Sequence, residues 1–104
     1  MKYFISYTIR DGMVNKSVLK KIELQYIRKG KVYIDLLHND SRFKQIRVFK
    51  ELFTSDTLVV INTPSLLESP WVKIEILIAR LRKMNILSVK LNHKSKNHSI
   101  KNFR

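Results

Sequence analysis

The 104-residue sequence has no cysteine, only two glycines and two prolines, and eight acidic residues against twenty-one lysines and arginines. Without cysteine there is no disulfide framework, no thiolate metal site and no cysteine nucleophile. Apolar stretches are short, and none approaches the ~20 residues that a membrane span needs. At the N-terminus Ser6 follows just three apolar residues, so a signal-peptide core is lacking and a cytoplasmic single-domain protein with no membrane partner is expected. No G-x-G-x-x-G, G-x-x-x-x-G-K-[ST] or G-x-S-x-G occurs, which argues against a dinucleotide-binding Rossmann loop, a P-loop hydrolase and a nucleophile-elbow hydrolase. The histidines, His38, His93 and His98, have no metal-ligand spacing and read as surface or tail residues.

Basic charge and apolar residues are abundant. The formal net charge is +13 and the sequence pI about 10.3. Such a field favours polyanions, so a nucleic-acid-associated α/β protein is one alternative. The cations are nevertheless spread along the chain rather than gathered in a stripe, and the basic C-terminus offers only Phe103 for stacking on bases. That C-terminus carries Lys94, Lys96, Lys101 and Arg104 without an acid, and residues 92–104 read as a loose basic tail.

Hydrophobic residues make up 44% of the chain, and their pattern alternates. Short runs at Tyr3–Tyr7, Val32–Leu37, Leu58–Ile61 and Ile86–Leu91 have apolar residues on both parities, as buried parallel strands do. Helical periodicity lies between them. Val18, Leu19, Ile22 and Tyr26 form one stripe, with Gly30 as its stop. Phe43, Ile46, Phe49, Leu52 and Phe53 form a second, and Ile74, Leu77, Ile78 and Leu81 a third. The third opens with Ser69-Pro70, a capping residue followed by proline at the first helical position. The order β-α-β-α-β-α-β predicts a mostly parallel sheet with helices on both faces and a ligand crevice beyond the carboxyl ends of the strands.

Trp71 and Glu75 are four residues apart, hence on one face of the third helix, near the crevice. The helix N-terminus and Lys73 are expected to favour an ionised Glu75. The competing reading is a packed Trp71 and a Glu75 that is solvated or paired with Lys73 or Arg82.

Phe4–Asp11, FISYTIRD, resembles the opening box of Toll/interleukin receptor (TIR) domains. Val32–Asp35, VYID, is similar to their second strand, and Val59–Glu75, VVINTPSLLESPWVKIE, resembles the third strand, loop and helix of bacterial members. The resemblance spans about residues 2–91, taken as a TIR-like domain over 1–91 followed by the tail. It implies a flavodoxin-like sheet of about four parallel strands in order 2-1-3-4, with helices on both faces. It also implies cleavage of NAD at the nicotinamide–ribose bond, in bacterial immune or signalling function such as antiphage defence. The catalytic glutamate then falls on Glu75, and substrate binding on Tyr7, Thr8, Ile9, Arg10, Asp35, Ser69 and Trp71. NAD is the substrate, with neither cofactor nor metal.

Family members often carry Pro-Gly in the loop after the second strand, where this chain reads LLHNDSRF, and normally continue to a fifth strand and a final helix. Ile86–Leu91 is therefore expected to be an exposed edge, covered by a weak homo-oligomer or another TIR chain. The alternative function is a catalytically silent TIR–TIR interaction module.

Overall fold

The computed structural model describes residues 1–10, 12–38, 42, 44–92 and 99–103. Chain order is β1 (Lys2–Ser6), α1 (Lys16–Tyr26), β2 (Lys31–Tyr33), a short α2 (Asp35–His38), α3 (Lys44–Phe53), β3 (Thr57–Asn62), a 3-10 turn at Leu66–Glu68, α4 (Pro70–Leu81), β4 (Asn85–Asn92) and β5 (Ser99–Phe103). The sheet order is β2-β1-β3-β4-β5. The first four strands are mutually parallel, as expected, in the order of a flavodoxin-like fold. β1 is an interior strand between β2 and β3, paired with β3 through Ser6 opposite Val60.

The side-chain alternation of the strands feeds two cores. On one face Tyr3, Ile5, Val59, Ile61 and Val89 pack with Val18, Leu19, Ile22 and Tyr26, the four residues of the first helical stripe. On the other, Phe4, Leu58 and Val60 pack with Leu52, Val72 and Ala79 from α3 and α4. Asn15 caps α1 by accepting from the Val18 amide. Ser69 caps α4 in the same way, with Pro70 at the helix start.

Several expectations are corrected. β4 is not an open edge: β5 pairs antiparallel along it, Ser88 opposite Phe103 through Asn92 opposite Ser99. The edge offered a row of unmade backbone bonds, and a segment read as a loose tail satisfies them. Of that tail, Lys94, Lys96, His93, His98 and Arg104 lie outside the described residues, as do Asp11 and Phe43.

The second apolar run leaves the sheet after Tyr33, because the Leu37 and His38 amides turn back to bond the Ile34 carbonyl. Gly30 does not end α1 in a left-handed conformation. It is required because a Cβ there would lie 2.0 Å from the Met1 carbonyl oxygen. The left-handed glycine is Gly12 (φ 73°), in the loop after β1.

The helix faces also differ. On α3 the wholly buried residue is Leu52, while Ile46 and Phe53 are exposed. On α4 Val72 and Ala79 are buried, and Ile74, Leu77 and Leu81 point outward. α4 is apolar nearly all round, so its periodicity could not choose between two candidate faces.

Candidate functional site

A cleft of about 480 Å³ opens beyond the carboxyl end of β1, between the chain leaving β2, the start of α3 and the start of α4. Tyr7, Thr8, Ile9, Arg10, Asp35, Ser69, Trp71 and Glu75, the full set of candidate site residues, all line it. The topology brings them together. The β1 loop supplies four, the start of α2 just beyond β2 delivers Asp35, and α4 starts alongside with Ser69, Trp71 and Glu75.

Glu75 is the chemical centre. It lies more than a turn into α4, on the side facing β1, and its Oε1 accepts a 2.8 Å hydrogen bond from Ser6 Oγ. It pairs with neither Lys73 nor Arg82. Lys73 is two positions away along the helix and exposed, on a different face. Arg82 donates instead to the Leu52 and Ser55 carbonyls.

The ionised form is therefore not favoured as expected. Burial pushes the Glu75 carboxyl up to about 7, the Asp35 charge adds to the rise, and the Ser6 hydroxyl opposes it. Removal from water outweighs a helix end more than one turn distant, since the dipole acts mainly within the first turn.

Around this carboxyl the walls are held by specific bonds. The Tyr7 hydroxyl accepts from the Leu36 amide at 3.0 Å, tying the first turn of α2 to the β1 loop. Burial pushes the Tyr7 phenol up to about 12, with the Leu36 bond opposing and the Asp35 and Glu75 charges adding. Asp35 Oδ1 accepts from Tyr33 Oη at 3.1 Å, and the Arg47 guanidinium lies over the Tyr33 ring at 5.6 Å. Burial, reinforced by the Asp35 charge, raises the Tyr33 phenol far above its ordinary value.

Trp71 packs on Phe49 of α3, ring centroids 5.8 Å apart, and remains 41% exposed. Its indole is thus a wall of the cleft rather than a core residue. Buried Thr8 accepts from the Arg10 amide at 3.3 Å and shapes the turn that carries exposed Ile9 and Arg10. The Ser69 hydroxyl is already engaged as the cap of α4, so its contribution to the cleft is chiefly shape.

Ser6 was not among the candidate site residues. The signal was present, a hydroxyl inside the apolar run Tyr3–Tyr7, where an unpaired polar group would be costly. Lys44 and Gln45 at the start of α3 and Leu36 on α2 also line the cleft. They come from segments whose approach depends on the chain path after β2. His38, read as a surface residue, is instead half-buried, its Nδ1 accepting from the Ile34 amide and its Nε2 bonded to Glu23. Among the described residues no group of three or more His, Asp or Glu could hold a metal ion, and no helix is long and apolar enough to cross a membrane.

The arrangement joins one proton-holding carboxyl near neutrality, an aromatic wall, and cationic Arg10 and Lys44 at a partly apolar cleft. Such a site can hold a planar ring and place negative charge against a developing cation. In comparisons with known proteins, no family model and no curated protein matches the chain.

Proposed function

We propose that this chain is a TIR-like domain that cleaves NAD at the nicotinamide–ribose bond, as a cytoplasmic NAD nucleosidase or cyclase in bacterial immune signalling. The observation that supports this most is the position of Glu75, within one cleft shared with Trp71 and the loop after β1. In the reaction the bond between the ribose C1′ and the pyridinium nitrogen breaks, and its electron pair leaves with nicotinamide. Nicotinamide departs as a neutral base, so no acid need protonate it. The positive charge moves to an oxocarbenium-like ribose, which water or an internal nucleophile then captures.

Ionised Glu75 stabilises that cation. At 4 Å and an effective dielectric near 20 a full charge pair is worth about 4 kcal/mol, or roughly three orders of magnitude in rate. Arg10 and Lys44 supply positive charge for the pyrophosphate, and Trp71 a face for a base. Incubating the purified protein with NAD and separating the products by chromatography tests the reading. Release of nicotinamide with ADP-ribose or its cyclic form is expected, and intact NAD would count against it.

A second reading, a silent TIR–TIR interaction module, draws on the outward apolar ridge of α4. Ile74, Leu77 and Leu81 are 39%, 57% and 74% exposed. With β4 paired to β5, that ridge rather than the β4 edge is the surface through which weak self-association or binding of another TIR chain would proceed.

A further inference from the structure

We propose that Ser6 is a positioning residue for Glu75, fixing one carboxylate oxygen through its hydroxyl so that the other faces the substrate. The role rests on the NAD-cleaving reading of the cleft. Ser6 is 1% exposed and sits on β1, an interior strand flanked by β2 and β3, with its backbone in register with Val60 of β3. The hydroxyl therefore emerges from a rigid part of the fold, which suits a group that must hold another in place.

Ser6 Oγ donates to Glu75 Oε1 at 2.8 Å, an orientation in which the serine stabilises the ionised carboxylate. Glu75 itself lines the cleft, so a carboxylate held through Oε1 can present its other oxygen to a ligand there. The bond also restrains the side-chain torsions of a long, flexible acid.

The remaining charged and titratable groups around the cleft do not replace this contact. Asp35, at the start of α2, repels the carboxylate and raises its proton affinity. Tyr7 engages the Leu36 amide, and Arg10 and Lys44 line the cleft from the β1 loop and α3. On α4 itself Lys73 is exposed. Within the described structure Ser6 is the group that hydrogen-bonds Glu75.

The test uses Ser6→Ala and Ser6→Thr, with circular dichroism confirming the fold. Two readouts are followed, the ¹³C carboxyl titration of Glu75 without ligand and the pH profile of NAD cleavage. In Ser6→Ala the Glu75 midpoint should rise by about one pH unit, roughly a tenfold gain in proton affinity. The acid limb of kcat should move upward with it. A further loss of roughly tenfold in kcat should persist on the alkaline plateau, with KM little changed, because the oxygens are no longer held.

Ser6→Thr keeps the hydroxyl and should return the midpoint and kcat toward wild type. If the added methyl unfolds it, Ser6→Ala alone decides. An unchanged Glu75 midpoint in folded Ser6→Ala overturns the proposal, as does a kcat on the alkaline plateau equal to wild type. Should no variant, wild type included, cleave NAD, the reading of the cleft and this catalytic role fall together. The ligand-free titration would then report only whether the bond tunes Glu75.

Discussion

Replacing Glu75 by glutamine should stabilise the protein at pH 8 while changing little near pH 4. In the folded state burial raises the carboxyl from 4.5 to about 7. Between those values the native state holds a proton that the unfolded chain has released. Stability therefore falls as pH rises through that window, and the loss is complete once the native carboxyl has ionised. The shift corresponds to up to about 3 kcal/mol at 1.36 kcal/mol per pH unit.

Glutamine is close in shape, never ionises, and keeps a carbonyl oxygen to accept the Ser6 hydroxyl. The variant should thus escape the loss and gain on the order of 10 °C in Tm at pH 8. Urea denaturation of both proteins at pH 4, 6 and 8 reads the difference directly. A gap that does not widen with pH, or a variant less stable than wild type at pH 8, would refute the argument that burial dominates at Glu75.

Three further outcomes follow from particular contacts. Trp71→Ala loses the ring contact with Phe49, and because the indole is 41% exposed the cost should be only about 1–2 kcal/mol in a denaturant titration, while NAD turnover falls steeply. Gly30→Ala drives a methyl into the Met1 backbone and should cost about 1–3 kcal/mol, visible as a lower Tm with unchanged spectra. Self-association through the α4 ridge should strengthen with added salt, because screening weakens the repulsion of +13 charges, and Leu77→Ser should abolish it. Sedimentation across a salt series measures this, and a strict monomer at high protein and high salt would rule it out.

The strand–helix alternation carried the parallel part of the fold. Runs of Ile, Val and Tyr flanked by one well-formed amphipathic stripe left little choice for β1, α1, β3 and β4. What failed was local ambiguity settled only by tertiary packing. α4 offers apolar residues on opposite faces, and the sheet takes Val72 and Ala79 because small and branched residues allow close approach. β5 was invisible because Ser99–Phe103 has no apolar alternation to distinguish a strand from a tail, and it forms where an edge awaits pairing.

All the proposed cleft residues converge because they sit at the ends of adjacent strands or the start of the next helix, a consequence of topology that sequence order already contains. The protonation of Glu75 was misjudged because burial is a property of the assembled site. Neighbours in sequence, such as Lys73, point elsewhere.

The claim that Glu75 carries NAD cleavage is tested most directly by comparing nicotinamide release from wild type and Glu75→Gln at pH 8, where the carboxyl is ionised and the glutamine variant should be fully folded. Loss of one electrostatic stabiliser predicts a fall of at least ~100-fold in the variant. Across pH 6–8 the wild-type rate should climb with an inflection close to 7, the value to which burial moves the carboxyl. Turnover retained by Glu75→Gln, or a wild-type rate flat through that range, would contradict it.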